Sequence, residues 1–461
     1  MTPWPGIALL FDKILVADRG EIALRIIRTC KDLGIRTVAV YSEADAHSLH
    51  VHLADEDVCI GPPPVESSYR NFANIISAAE LTNADAIHPG YGPLAENAEF
   101  AELCESCAIE FIGPAVDALR QMGDKAVARH TMQAAGVPVI PGSEEEVTSL
   151  DEAREWAATI GYPLRVKAAA GGGGRGMRVV HSPDDLAEAW QMARLEARNA
   201  FADDALYLER SIERARHIEI QVLGDGSGGV VHLGERECSI QRRHQKLLEE
   251  SPSPAVDDDL RRRLGEAAVA GARSINYRGA GTVEFLVDKS GEFYFLEMNT
   301  RIQVEHPVTE AVCGLDLIAE QLRIAAGEPL GYEQSDIKIT GHALECRINA
   351  ENPETNFTPS AGTITALHLP GGPSVRIDSH IYQGYTVPPY YDSLLAKIIT
   401  VGSNRAQSIA RMRRVLEEIT IEGVATTVSF HRALLQESDF IAGRFDTDFV
   451  SRTDLGQTAA V

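Results

Sequence analysis

The 461-residue chain is 44% hydrophobic and 24% charged, an ordinary globular composition with length for about three domains. Its 67 acidic and 43 basic residues leave a net charge of −24, which argues against nucleic-acid or anionic-membrane binding; a substrate anion needs a local basic pocket. No apolar run approaches a membrane span, residues 1–11 lack the basic region of a signal peptide, and seven scattered cysteines, an odd count, suit a reducing, cytoplasmic setting.

Residues 13–112 alternate strand and helix. Residues 13–17 (Lys-Ile-Leu-Val-Ala) and 36–41 read as strands, with more at 58–60, 85–88 and 109–112. Between the first two, Ile22, Ile26, Ile27, Cys30 and Leu33 line one helix face, Arg25, Arg28 and Lys31 point elsewhere, and Gly34 ends the helix. The alternation predicts a doubly wound parallel sheet. The first turn, Ala-Asp-Arg-Gly-Glu-Ile-Ala, lacks the dinucleotide fingerprint, so NAD is not expected. Cys104 and Cys107 read as helix cysteines, and His47, His50 and His52 as loop residues rather than ligands.

Residues 113–150 are mostly helical and connective, 151–212 a small α/β unit and 213–330 a larger one; a third region starts near 340. Gly171, Gly172, Gly173 and Gly174 lie between two strand-like runs. A Walker loop needs Gly-Lys-Ser/Thr and a following helix, and neither is present. A strand–Gly loop–strand can wrap backbone N–H groups around phosphates and close as a lid. Lys167 leads into it, and Lys125 is a second isolated lysine. Residues 235–246 (Glu-Arg-Glu-Cys-Ser-Ile-Gln-Arg-Arg-His-Gln-Lys) form a basic, amide-rich cluster that suits an oxyanion.

The next stretch is the most informative. Aromatic and β-branched residues flank a Lys-Ser-Gly turn, predicting a hairpin. Folding it at Ser290 sets Glu284 opposite position 296 or 297. Two like charges facing each other destabilise a sheet, so a cation belongs between Glu284 and Glu297. With Asn299 on the same face, the hard oxygen set suits Mg²⁺. Arg301 can hold a planar anion bidentately, and Glu305 can then act as general base. Arg347, alone on a strand-like run, reads by itself as structural.

These residues resemble those of biotin carboxylases, the ATP-grasp components of biotin-dependent carboxylases. The runs concerned are Arg-Gly-Glu-Ile-Ala-Leu-Arg25, His-Pro-Gly-Tyr-Gly92, residues 171–177, Gln-Arg-Arg-His-Gln-Lys246, Glu-Met-Asn-Thr-Arg-Ile-Gln-Val-Glu-His-Pro307, Glu-Cys-Arg-Ile-Asn-Ala-Glu351 and Pro-Pro-Tyr-Tyr-Asp-Ser393. The resemblance implies α/β and α+β architecture. Residues 1–112 are then a Rossmann-like N-terminal domain, 113–330 an ATP-grasp domain with a mobile lid at 140–212, and 340–455 a C-terminal biotin carboxylase domain.

It also implies roles. Lys125, Lys167, Glu209, His217, Gln241 and His244 match ATP-contacting positions, and the glycines the phosphate lid. Glu284 and Glu297 match Mg²⁺ (or Mn²⁺) ligands, beside Asn299. Lys246, Arg301, Gln303 and the Val304 backbone match the bicarbonate site, Glu305 the base, and Arg347 the residue that stabilises the biotin enolate. The implied reaction is ATP- and bicarbonate-dependent carboxylation of biotin through carboxyphosphate, the first half-reaction of acetyl-CoA carboxylase in fatty acid synthesis. No Met-Lys-Met biotinylation site is present, so biotin should arrive on a separate biotin carboxyl carrier protein, with a carboxyltransferase subunit completing the reaction. Arg25 falls where the family makes its homodimer contact.

Some positions depart from the pattern. Arg165 stands where an apolar residue usually faces the adenine, Ser211 where a larger one is common, Pro93 for a frequent Phe and Asp18 for Asn. Arg165 and Ser211 motivate an alternative, a catalytically weak paralogue acting as a regulatory or partner-binding subunit.

Overall fold

The computed structural model describes residues 11–143, 146–168, 177–201, 205–453 and 455. Its first unit is a five-stranded parallel sheet in the order β3-β2-β1-β4-β5. The strands are β1 (Lys13–Val16), β2 (Arg36–Ser42), β3 (Glu56–Gly61), β4 (Ala86–His88) and β5 (Glu110–Phe111). β1 is buried throughout, as a central strand covered on both faces must be. Helices Gly20–Asp32, Phe72–Thr82 and Ala98–Ser106 supply the crossovers. This is the doubly wound sheet that the alternation predicts. Gly34, at φ +75°, follows the first helix as expected, because the left-handed region costs glycine little. Arg25 differs from expectation: it is buried and pairs with Glu310 and Asp316 at 2.9 Å. His50 and His52 sit on a short helix, Leu49–Leu53, rather than a loop. Cys104 is buried in its helix, and all seven cysteines are free.

A small antiparallel sheet follows, ordered β7-β6-β8 from β6 (Leu164–Ala168), β7 (Met177–Val180) and β8 (Leu206–Arg210). Leu164, Val166, Leu206 and Leu208 pack on helices Leu150–Ile160 and Leu186–Phe201 through Ala153, Ala157, Trp190 and Ala193. Strict alternation leaves Arg165, Lys167 and Glu209 half-buried on the other face. The glycine run 171–174 lies outside the described residues, between strands that pair Lys167 with Met177.

The largest element is an eight-stranded antiparallel sheet, β13-β12-β9-β10-β11-β14-β16-β15. Its strands are β9 (Arg216–Asp225), β10 (Val230–Arg242), β11 (Gln245–Ser251), β12 (Arg278–Val287), β13 (Phe293–Asn299), β14 (His342–Asn349), β15 (Val375–Ser379) and β16 (Leu394–Gly402). The cluster at 235–246 is therefore a strand and hairpin, not an open loop. On one face Ile218, Ile220, Val222, Val283 and Phe285 pack against Leu260, Leu264, Ala268 and Ala272 of the helix Asp258–Ser274. That helix is capped by Asp257, whose carboxylate accepts from the Leu260 N–H, and Asp258 and Asp259 favour its N-terminal dipole. The opposite face is polar and is roofed by the helix His306–Cys313, where Val308 and Val312 meet Ala343 and Ile399. No helix among the described residues is long and apolar enough to cross a membrane.

Five histidine rings are buried and neutral among the described residues, His306 held well below its usual value by burial. Burial pushes His50 and His431 down to about 4, and His88 and His380 down to about 3. The unfolded chain takes up protons near pH 6.5 that these sites refuse, so acid destabilises the fold. Each ring removes about 2 kcal/mol of stability between pH 6.5 and pH 5. The urea midpoint should fall steeply over that interval, and His50→Gln should flatten the slope; an unchanged slope would show that ring charged in the folded state.

Candidate active site

Antiparallel pairing places Glu284 of β12 opposite Glu297 of β13, with a bulge after Glu284. Asp288 holds the intervening turn by accepting from the Ser290 backbone N–H and hydroxyl. β9 continues the polar face, since Thr282, Glu284 and Leu286 pair with Gln221, Glu219 and His217. Arg236 pairs with Glu219 from β10, and Lys246 with Gln241 across the β10–β11 hairpin.

Arg236 is fully buried. Its guanidinium donates to Glu219, to Oε1 of Gln221 at 2.6 Å, to the hydroxyls of Thr309 and Thr282, and to Oε1 of Gln303 at 2.7 Å. In the sequence it is one member of the basic, amide-rich run 235–246, with nothing to single it out. Gln303 is thereby anchored and donates from Nε2 to Glu284 at 2.9 Å.

Lys246 is the hub. Its ammonium donates to Glu219 at 2.6 Å, Glu305 at 2.7 Å and Glu284 at 2.8 Å. Burial opposes its charge, but the three carboxylates hold it well above the ordinary lysine value. Glu305 caps the start of the roofing helix without bonding its backbone. Arg347 donates to the second Glu305 oxygen at 2.9 Å. Against burial, Lys246, Arg347 and Arg236 hold the Glu305 carboxyl well below its usual range.

Glu284 accepts from Lys246, Gln303 and Asn299, and His217 Nε2 lies 2.8 Å from its other oxygen. Glu297 has no hydrogen-bond donor among the described residues; burial and the facing Glu284 push its carboxyl up, with Lys125 among the groups pulling it down. The facing carboxylates, Glu284 with its protein donors and Glu297 with none among the described residues, offer hard oxygens that fit a divalent cation. Asn299 uses both ends of its amide within the protein, donating to Glu284 and accepting from Arg301. His217, Glu219 and Glu284 present ligand atoms within 4.8 Å of one another, but Glu219 is committed to two cations.

Arg301 donates to Glu96, contributed by the first unit, at 3.0 Å, and the Val304 carbonyl accepts from Lys397 at 2.9 Å. Lys167 meets Glu209 at 2.5 Å. Lys125 is exposed in the first turn of the helix Lys125–Ala134, and Gln241 is buried. His244 is exposed at the hairpin tip, where Arg243 and His244 are both left-handed at φ 50° and 65°. The site thus joins Lys246, Gln303, Glu305, Arg347, Glu284, Glu297 and Asn299 directly, with Arg301 at its edge. Arg165 lies opposite Glu209, its Nε buried without a hydrogen-bond partner, as is the Ser211 hydroxyl.

Family models match nearly the whole chain: "biotin carboxylase, N-terminal domain" over residues 10–119, "carbamoyl-phosphate synthase L chain, ATP binding domain" over 124–333, and "biotin carboxylase C-terminal domain" over 345–452. A Nostoc biotin carboxylase is 58% identical over 440 residues, 95% of this chain and 98% of that protein. Biotin carboxylase 1 of Bacillus subtilis is 55% identical over 447 residues, 97% and 99% of the two chains. A biotin carboxylase–β,γ-ATP complex from Campylobacter jejuni superposes with a TM-score of 0.91 at 50% identity, covering 96% of this chain and 99% of that one. The biotin carboxylase domain dimer of Hydrogenobacter thermophilus 2-oxoglutarate carboxylase, with MgADP, ADP and bicarbonate, gives 0.90 at 48% identity over 96% and 97%.

Removing the buried guanidinium would leave Glu219 short of a donor and Gln303 unanchored. Arg236→Met should destabilise the protein by about 3–5 kcal/mol, read as a lowered urea midpoint. A loss below about 1 kcal/mol would mean the sheet tolerates Glu219 with Lys246 alone.

Proposed function

We propose, from the premise that this chain belongs to the biotin carboxylase family and is an ATP-dependent ligase of that family, that the cluster around Lys246 is where bicarbonate is activated and biotin carboxylated. The weak-paralogue alternative falls with the family assignment: full-length relatives named biotin carboxylase match at 55–58%.

The observation that carries the reading is the shared ammonium. As it stands, Glu305 is a poor base, because two cations hold its charge. An anion entering beside Arg301 and Gln303 draws Lys246 and Arg347 toward itself, and the basicity of Glu305 rises as substrate binds. Glu305 then takes the bicarbonate proton, and the carbonate oxygen attacks the γ-phosphorus of ATP with loss of ADP, giving carboxyphosphate. Lys167, Lys246 and His217 offset the charge of the transferring group. Glu284 and Glu297 would hold a divalent cation, Mg²⁺ or Mn²⁺, which would supply positive charge to the transferring phosphoryl group. Carboxyphosphate yields CO₂ and phosphate; phosphate removes the ureido proton of biotin, N1′ attacks CO₂, and Arg347 balances the enolate.

The remaining assignments complete the reading. Lys125, Glu209, Gln241 and His244 contact ATP, as does the glycine run 171–174, which with Glu209 belongs to the lid at 140–212. The domains run 1–112, 113–330 and 340–455. The partners are a biotin carboxyl carrier protein, a carboxyltransferase, which sets the final acceptor, and a second copy of this chain. Seven free thiols fit a reducing cytoplasm.

Phosphate release from ATP by the purified chain should require bicarbonate and rise with free biotin. Glu305→Gln should abolish that turnover while leaving Mg-ATP affinity nearly intact; an unchanged rate removes Glu305 as base. Arg165→Ile should tighten ATP binding by about fivefold, roughly 1 kcal/mol, in calorimetric titration. Equal affinities would mean the arginine points away from the base.

A further inference from the structure

The buried charge does not stop at Arg347. β11 and β14 set Glu249 directly opposite Glu345, which places their Cβ atoms about 5 Å apart. Both residues are fully buried. Arg347 donates to Oε1 of Glu249 from Nε at 2.6 Å and lies 2.5 Å away through Nη2, yet Oε2 of Glu249 and both oxygens of Glu345 have no donor.

The surrounding charged groups are already engaged. Arg347 is shared with Glu305 at 2.9 Å. Lys397 on β16 lies 2.9 Å from Glu21 of the first helix and donates to the Val304 carbonyl. Lys246 on β11 is divided among three carboxylates. Asp378 on β15 is held by Arg376 at 2.7 Å. From the roofing helix, His306 contributes an imidazole that burial keeps neutral, with Nδ1 at the Gln303 carbonyl. Cys238 and Cys346 contribute thiols that burial keeps protonated. Two facing carboxyls with part of one cation between them do not both ionise in a protein interior. One O–H between them engages two of the three otherwise bare oxygens.

We propose that Glu249 and Glu345 share a single proton and act as a positioning pair behind Arg347: Glu345 donates it to Oε2 of Glu249, and Glu249, carrying one charge, holds the guanidinium between itself and Glu305. Burial raises both carboxyls, Glu345 well above its ordinary value, in agreement with the geometry. On the alkaline side the shared proton is lost, a second charge appears behind Arg347, and the guanidinium is drawn from Glu305. That functional consequence rests on the reading of Arg347 as the residue that acts on biotin; the shared proton does not.

The first test is an infrared difference spectrum of the purified chain against E345Q near neutral pH, below the alkaline loss of the proton. The pair predicts loss of a protonated-carboxyl C=O band. Loss of an ionised-carboxylate band instead overturns it and makes Glu345 a charged partner of Lys397. The amide of E345Q replaces the O–H donor, so Tm should stay within a few degrees of the parent; E345M, apolar and of similar shape, gives the same spectral readout if E345Q does not fold. For the positioning role, turnover of the parent should fall on the alkaline side and E345Q should lack that fall. E249Q should lower kcat about tenfold by freeing the guanidinium. An alkaline fall that persists in E345Q overturns the role of the pair. A parent chain without bicarbonate-dependent turnover would count against the function above, while the infrared band still decides the shared proton.

Discussion

One ammonium among three buried carboxylates governs this molecule. Lys246 touches Glu219, Glu284 and Glu305 within 2.8 Å, and none of these acids could be buried at that spacing without it. Its charge is divided among all three acids, and Glu219 and Glu305 draw on a second cation, Arg236 and Arg347 respectively. Arg236 beneath and Arg347 beside it extend the same economy of charge. Together they form a continuous set of buried ion pairs.

The sheet makes this arrangement possible. Alternation on β9, β10 and β12 puts apolar side chains on the helix Asp258–Ser274 and sends His217, Glu219, Gln221, Arg236, Thr282 and Glu284 to the other side. The roofing helix follows β13 after a short loop, so the residues from Asn299 to His306 turn a corner over that polar face. Glu96 reaches in from the first unit to fix Arg301, and Lys397 reaches from β16 to fix the Val304 carbonyl.

Much of this was legible in the sequence. The N-terminal alternation gave the parallel sheet, and the turn at Ser290 set Glu284 against Glu297, because strand period and turn position leave few registers. Other features were not legible. Arg25 seemed to point away from the core on helical periodicity, yet it is buried by acids nearly three hundred residues away. Arg236 and Glu249 look like solvated charges until the strands that neutralise them are aligned. The stretch 235–246 read as a charged cluster because its polar residues fill both sides of a strand that is covered on both sides. Local pattern reports which face a residue takes; it does not report that a distant strand has placed an opposite charge there.

β14 hydrogen-bonds directly to β11, so Lys246 and Arg347 stand on adjacent strands of one continuous sheet. Hinge motion between Lys246 and Arg347 is therefore closed off at the floor of the site. A change of charge at Lys246 would be felt at Arg347 through Glu305, which both cations share, without displacement of either strand. Such coupling weakens little with salt, because the charges concerned are shielded from it by the protein itself.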